Sequence, residues 1–425
     1  MKLNFFKSNK DIEVREDPTQ EVFFYDNQQV SVNRKLPNYY QEGYKQNPIA
    51  YKAISEVAKA IGQIPFKVCR DKANGEMETV KGSDLEKLLN RPNPYQSFSA
   101  FVCELATNYQ WAGNAVVISN NATPVGQENS VKAPSELYNK SYLYIDLKVK
   151  KGGSLLYEIG KNNKKQYLVN PDEPAPLVHL KTNNAENDFV GISPFEHCAV
   201  WVDIHNRGAK WNNNTLANDG KIPMVIKAKE GNGELSKEQR ARIKEYFTKS
   251  QMGYSNAGKP LYLGGLDIER LALSPEEMDF ENLLQVAERI ISSTFGVPFP
   301  LISPDAATFS NVSEAKEMLW TDTIIPLTDY IYGELNRFLE PYFDGLKIYP
   351  DYDEVPALEV IRMRKKQAIL EMYKAGLISV NEARQELSYE PFKTKLADTV
   401  LVGGGLLPLE DIGIMNEEIN NGEGT

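Results

Sequence analysis

Ser193-Pro194-Phe195-Glu196 and Ser274-Pro275-Glu276-Glu277 carry the same start device: a serine to cap, a proline at the first helical position and a glutamate at the third. The first predicts a helix from Ser193 to about position 218, before Gly220, a length of ~37 Å at 1.5 Å per residue. Its second half, His205-Asn-Arg-Gly-Ala-Lys-Trp-Asn-Asn-Asn-Thr215, has little apolar surface and weak propensity, so it needs neighbours from its own chain or from other subunits. After the second device, Phe280, Leu283, Leu284, Ala287, Ile290, Ile291, Thr294 and Phe295 recur at helical spacing until Gly296 and Pro298 stop them. Between the two lies a small α/β unit, 221–274, with a strand over 222–228, a helix over 236–251 and strands over 259–264 and 266–273. It holds ten basic and six acidic residues, a local charge of +4 in a chain of −10. Two capped helices thus bracket an insertion, in an α+β chain.

On the C-terminal side a loop rich in Pro, Ser and small residues, 298–310, leads into a long helix. Asn311 and Glu314 fit its cap, and Pro326 inside it predicts a kink. A helical end follows over 355–373, closed by Gly376, and Ser379-Val-Asn-Glu382 caps one more helix. Positions 401–425, with a Gly-Gly-Gly and several acids, read as a tail. On the N-terminal side, 1–47 is polar without a sustained period and reads as an arm. Ile49, Ala53, Ile54, Val57, Ala58 and Ile61 then predict a helix ending at Gly62. A strand over 65–70, a capping box at Ser83 and Glu86, a helix over 98–109 and a buried strand near 119 come next. Turn signals at 150–153 and 160–165 predict a β-meander across 136–183.

The chain has 425 residues, 41% hydrophobic and 25% charged, which sets it among globular chains and apart from disordered ones. It lacks a run of ~18 apolar residues, so no membrane span is expected, and its first residues do not read as a signal peptide. Cys69, Cys103 and Cys198 lie far apart with no CxxC spacing, which does not suit a disulfide framework or a thiolate metal site and fits a reducing compartment. The acidic balance opposes binding DNA by broad phosphate neutralisation, but not a protein that DNA slides past.

Gly253-Tyr-Ser-Asn-Ala-Gly-Lys-Pro260 matches GxxxxGK, yet has Pro where a P-loop needs Ser or Thr, and it follows a helix and opens a strand. It reads as an ordinary turn. His179, His197 and His205 show no metal or triad spacing, and Glu276 and Glu277 suit a helix N-terminus. No catalytic constellation, cofactor site or metal site emerges, so an enzyme is not expected. Lys237, Arg240 and Lys244 fall on one side of the insertion helix as a basic stripe, either a solvated face or a surface for an acidic partner.

Read in order, Asn47-Pro-Ile-Ala-Tyr-Lys-Ala-Ile-Ser55, Ile64-Pro-Phe-Lys-Val68, Arg91-Pro-Asn-Pro94, Gly113-Asn114-Ala, Val178-His179-Leu, Gly191-Ile-Ser-Pro194, Asp219-Gly-Lys-Ile-Pro-Met-Val225, Phe295-Gly-Val-Pro298 and Ala375-Gly-Leu-Ile-Ser-Val-Asn-Glu-Ala-Arg384 resemble the portal proteins of long-tailed bacteriophages. The resemblance spans some four-fifths of the chain. It implies an elongated subunit in a ring, usually of twelve, at one capsid vertex, through which terminase drives double-stranded DNA in and through which DNA later leaves. The implied parts are an arm (1–47), a wing (48–192), a stem helix (193–220), a clip (221–274), a second stem helix (275–297), a tunnel-loop region (298–311), the rest of the wing (312–354), a crown (355–400) and a tail (401–425).

The partners it implies are the terminase large subunit, a head-tail adaptor, the major capsid and scaffold proteins, and DNA held without sequence specificity. The location is the virion, with assembly in the bacterial cytoplasm. In this frame Asp279, Glu281 and Glu288 are candidates for the channel face, because a pore that passes DNA should repel phosphate. Ser303, Asp305, Thr308, Phe309 and Ser310 are candidates for the tunnel loop, where small polar and aromatic groups touch DNA indifferently to sequence. Phe309 has a second reading as intersubunit packing. Lys237, Arg240 and Lys244 would serve the clip's partners. The competing classes are another capsid or tail component and a packaging NTPase; a gene transfer particle would use the same kind of chain.

Overall fold

The computed structural model describes residues 29–30, 36–72, 77–127, 132–150, 153–170, 173–217, 224–228, 236–250, 266–270, 280–303, 309–387, 389–402 and 407–408. The chain divides into two compact units, Met1–Pro350 and Asp351–Thr425. The fold is α+β.

In the first unit, β1 (Gln29–Val30) precedes α1 (Leu36–Asn38), which runs on as a π-helix, Tyr39–Lys45. Helix α2 (Pro48–Gly62) starts where Asn47 accepts the Ala50 N–H, and buries Ala50, Ala53, Ile54, Val57, Ala58 and Ile61. That face is the predicted period from Ala53 to Ile61, with Ala50 buried at its start and the expected Ile49 half-buried, and α2 packs on α4. β2 (Phe66–Asp71) and β3 (Met77–Thr79) follow, then α3 (Asp84–Asn90), capped by Ser83 Oγ accepting from the Glu86 N–H. The expected return arm of that box reaches one residue further back: Glu86 accepts from the Gly82 N–H.

α4 (Phe98–Ala112) runs into β4 (Asn114–Ser119), every residue of which is buried. The meander expected over 136–183 is divided between two sheets. β6 (Ile145–Val149), β7 (Leu155–Ile159) and β8 (Lys165–Val169) form it, in the order β1-β6-β7-β8. β5 (Leu137–Lys140) and β9 (Leu177–Lys181) instead flank β4, antiparallel on both sides. The all-apolar run Ala115-Val-Val-Ile118 is a central strand needing a partner on each edge; β5, next in sequence, supplies one and β9, four strands on, the other.

α5 (Pro194–Ala217), β10 (Met224–Ala228), α6 (Lys237–Ser250), β11 (Leu266–Arg270) and α7 (Phe280–Thr294) come next. β10 and β11 pair antiparallel, Ile226 opposite Ile268. α6 starts at a reciprocal capping box: Ser236 Oγ accepts from the Gln239 N–H at 3.2 Å while the Ser236 N–H donates to Gln239 Oε1 at 2.8 Å. The strand expected over 259–264, the GxxxxGK turn and the Ser274 start device lie outside the described residues.

α8 (Phe309–Leu319) passes through a π-helix, Trp320–Ile324, into α9 (Ile325–Leu339). The irregularity expected at Pro326 is thus realised one turn earlier, where the wider π turn moves carbonyls away from the proline ring. α9 lies on β9 and on β12 (Leu346–Pro350), which pairs with β2. Asn336 joins helix to strand by taking the Ile348 N–H at 2.7 Å and donating to its carbonyl at 2.8 Å. In the second unit, α10 (Glu359–Lys374) packs on α11 (Val380–Glu386), and β13 (Leu401–Val402) pairs with β14 (Leu407–Pro408). Ser379 and Glu382 form the complete capping box expected of them.

Candidate functional site

The two helices that bracket the insertion lie against each other. α7 turns Ala287, Ile291 and Ser292 inward, and α5 turns Phe195, Cys198 and Val202 inward. Phe195 meets Phe295 edge-on at 5.0 Å between ring centres. Further along α5 the apolar supply fails, as the sequence predicts, and a buried polar network takes over. Asn47 is wholly buried. Its Oδ1 caps α2 at 3.0 Å, and its Nδ2 donates to Asn206 Oδ1 at 3.1 Å and to His205 Nδ1 at 3.2 Å. Asn206 Nδ2 in turn donates to the Glu42 carbonyl at 2.8 Å. With Nδ1 accepting, His205 carries its proton on Nε2, which faces Glu288 Oε1 of α7 at 3.6 Å. One asparagine therefore ties α2, α5 and, through His205, α7.

A second network fixes where α5 begins. Gly113, at φ +68°, is the left-handed residue that closes α4. A Cβ there would stand 2.0 Å from the Ile192 carbonyl oxygen, so only glycine lets the two backbones approach. Asn114 beside it donates to the Gly191 carbonyl at 2.8 Å and accepts the Gly191 N–H at 2.8 Å. Its Oδ1 also accepts from His179 Nε2 at 3.0 Å, leaving His179 Nδ1 to accept from Tyr157 at 3.2 Å. Burial, with Lys181 nearby, pushes the His179 pKa down to about 3, so the ring is neutral and structural. Ser193 Oγ donates to the Trp111 carbonyl at 2.8 Å and accepts the Phe195 N–H at 3.3 Å. The separate motifs Gly113-Asn114, Val178-His179 and Gly191-Ile-Ser-Pro194 are thus one junction.

At the far end of α7, Gly296 at φ +73° closes the helix, and the Val297 N–H reaches back to the Ser292 carbonyl at 3.0 Å. Thr323 of the π-helix donates to the Gly296 carbonyl at 2.7 Å. The chain leaving this point is held twice more: Arg289 lies over the Phe299 ring at 5.0 Å, and Lys52 Nζ donates to the Ile302 carbonyl at 3.0 Å. The base of the expected tunnel loop is therefore clamped by α2, α7 and the π-helix.

Glu281 is exposed in the first turn of α7, and Glu288, two turns on, lies on the same side but is half-buried against His205. Asp279 lies outside the described residues. Ser303 is half-buried with its N–H on the Phe299 carbonyl at 3.0 Å. Asp305 and Thr308 lie outside the description, while Phe309 and Ser310, expected in the loop, belong to the first turn of α8. Lys237 and Arg240 are exposed on α6, and Lys244 follows one turn later. Sequence reasoning missed Asn47, Asn206 and Gly43-side packing of Phe195 on Tyr39, whose rings stack at 6.2 Å. The Asn47-Pro48 cap signal was present; its second role was not. Cys198 is buried, and burial raises its thiol pKa to about 11, away from reactivity. Among the described residues no group of three His, Cys, Asp or Glu is placed to hold a metal ion, and no helix is long and apolar enough to cross a membrane.

A sequence profile described as phage portal protein matches residues 48–387. A Rickettsia bellii protein of uncharacterized role is 28% identical over 347 residues, 81% of this chain and 86% of its own. The portal protein of Escherichia phage T5 is 26% identical over 335 residues, 75% of this chain and 73% of its own. Among solved structures, a chain of the neck of an empty gene transfer agent particle superposes with a TM-score of 0.65 at 27% identity, covering 86% of this chain and 96% of that one. The native particle's neck, computed with C12 symmetry, gives 0.62 at the same identity, covering 86% and 97%. The match runs from the Asn47 cap region to α11, through both junctions described above, and the chain belongs to the phage portal protein family.

Proposed function

We propose that twelve copies of this chain close around a channel that passes double-stranded DNA without reading its sequence, inward under terminase and outward at ejection. As a member of its family the chain is a portal at a capsid vertex and one copy of a homo-oligomeric ring in a virion. In the finer reading, α5 and α7 are the stem, 221–274 the clip, 298–311 the tunnel-loop region and 355–400 the crown. The observation that carries it is the α5–α7 pair: two helices bracketing an insertion, locked to α2 by the buried Asn47 network, with Glu281 on the open side. Twelve copies at −10 each give −120 formal charges, which suits a conduit that does not trap phosphate. Asp279 and Glu281 are the channel acids of this proposal, and Glu288, on the same side of α7 as Glu281, joins them while also meeting His205.

The clip's local charge of +4 supports Lys237, Arg240 and Lys244 as the contact for terminase during packaging and for the head-tail adaptor afterwards. Ser303, Asp305 and Thr308 remain the tunnel-loop candidates of this proposal, following the clamped base at Gly296–Ile302 in sequence, and Phe309 and Ser310 adjoin them as the first turn of α8. Assembly takes place in the bacterial cytoplasm, with capsid and scaffold proteins. The test is a Glu281→Lys, Asp279→Lys double variant in rings that package DNA. Packaging should stall as lysines hold phosphate; packaging at wild-type rate contradicts the channel assignment. Charge reversal of Lys237, Arg240 and Lys244 together should abolish association with terminase and adaptor, and unchanged association removes the clip assignment.

A further inference from the structure

Among the described residues of the second unit only four apolar side chains are buried, Val355, Leu358, Ile369 and Ala397, while eight large ones are exposed. A unit that folds and stays alone has the opposite proportion, because so small a core does not offset the entropy of ordering the chain. Six of the exposed side chains fall in two groups, one on α10 and one in the segment after α11. On α10, Val360, Met363 and Leu370 are exposed and fall within about 80° of arc at 100° per residue, with Gln367 between them. Ile369, the one buried residue of α10, points away from that stripe.

The other surface is Tyr389, Phe392 and Leu396, all more than half exposed. These rings are fixed in place. Arg384 lies over Phe392 at 3.9 Å and over Tyr389 at 5.6 Å, and its Nε donates to the Glu390 carbonyl at 2.8 Å. Asn381, itself buried, accepts the Phe392 N–H at 2.7 Å and donates to its carbonyl at 2.9 Å. Exposed aromatic rings whose conformational freedom is already lost are the kind of anchor that dominates protein interfaces.

Two unlike apolar surfaces on one unit are what a head-to-tail contact requires, and repeating such a contact by rotation closes a ring. We propose that the Tyr389, Phe392 and Leu396 surface of one copy seats on the Val360, Met363 and Leu370 stripe of the next, so that each second unit completes its neighbour's core. The inference rests on the ring reading above and adds the residues and polarity of the contact. In this arrangement the basic residues Arg364 and Lys366, which flank the stripe, rim the interface.

The test joins Met363→Cys to Phe392→Cys in a Cys103→Ser background, Cys69 and Cys198 being buried, and treats the full chain with a short bis-maleimide while its native mass is recorded. The expected product is a ladder of covalent oligomers up to the full ring. Mixing the two single-cysteine chains should give covalent dimers and nothing larger. Leu370→Glu and Phe392→Ser, both at exposed positions, should raise the protein concentration at which rings dissociate about tenfold or more without altering the monomer's circular dichroism. Rings of the expected mass that show no ladder, or only links within one chain, overturn this contact and leave the ring standing. A wild-type chain that remains monomeric at every concentration contradicts the ring and the contact together.

Discussion

Replacing Asn47 by alanine tests whether the polar network holds the α5–α7 pair to α2. The side chain makes three bonds at once, to the Ala50 N–H, Asn206 Oδ1 and His205 Nδ1, in a site with no solvent exposure. Loss of the cap costs about 1 kcal/mol. Asn206 Oδ1 and His205 Nδ1 each lose a donor, which in a buried site costs about 1 kcal/mol or more apiece. The total is about 3 kcal/mol, with about 5 as the upper end if no water enters. Asn47→Ser separates the terms, since serine keeps the cap and drops both network bonds; it should cost about 2 kcal/mol. The assay is urea unfolding followed by tryptophan fluorescence, read as a midpoint shift at constant slope. Asn213→Ala, at an exposed position of α5, is the control and should stay within about 0.5 kcal/mol. An Asn47→Ala loss below about 1 kcal/mol, or equal losses for alanine and serine, would refute the network as the tie.

Three further outcomes follow from the same geometry. Gly113→Ala forces a left-handed residue against the Ile192 carbonyl and should cost about 3–5 kcal/mol or prevent folding, seen as loss of soluble chain; normal yield and midpoint would contradict the junction. His179 takes a proton at 6.5 when unfolded and resists until about 3 when folded, so stability should fall as pH drops below 6.5, by up to ~1.4 kcal/mol per unit from this group. His179→Gln should show a correspondingly shallower pH dependence in parallel urea titrations, and an unchanged slope would count against a buried neutral ring. Lys52→Met removes the Ile302 clamp and should cost about 1–2 kcal/mol while sparing the ring but reducing the length of DNA retained in filled particles; full retention would separate the clamp from the tunnel loop.

The helices were legible because their signals are local. Asn47-Pro48, Ser193-Pro194 and Ser379 to Glu382 each combine cap chemistry with an apolar period, and the observed helices start at those points. Sheet partners were less so. Turn signals mark 136–183 as a run of short strands, but nothing in Leu137–Lys140 or Leu177–Lys181 says that both belong to β4 while the three strands between form another sheet. That choice depends on which edges remain free once α4 has delivered β4, a long-range property. Gln29–Val30 carries too little pattern to be seen as a strand at all.

The same distinction applies to the site. The bracketed insertion, its charge and the order of the motifs were visible in the sequence. Why Gly113, Asn114, His179 and Gly191 belong together was not, because residues spread over 78 positions meet only once β9 has paired with β4 and the chain has returned to Gly191. The π-helix at Trp320–Ile324 was hidden for a related reason: Pro326 announces an irregular helix, but the contact of Thr323 with the Gly296 carbonyl, 27 positions away, has no local signal.

On the proposed reading this chain works as one subunit of a ring around a channel. Native mass measurement of the purified protein with negative-stain imaging tests it most directly. A ring with a central hole and a mass near twelve × 47.9 kDa, about 575 kDa, is the predicted result. A compact two-fold dimer without a hole, hydrolysing nucleotide, would contradict the account and return attention to the GxxxxGK turn at Gly253.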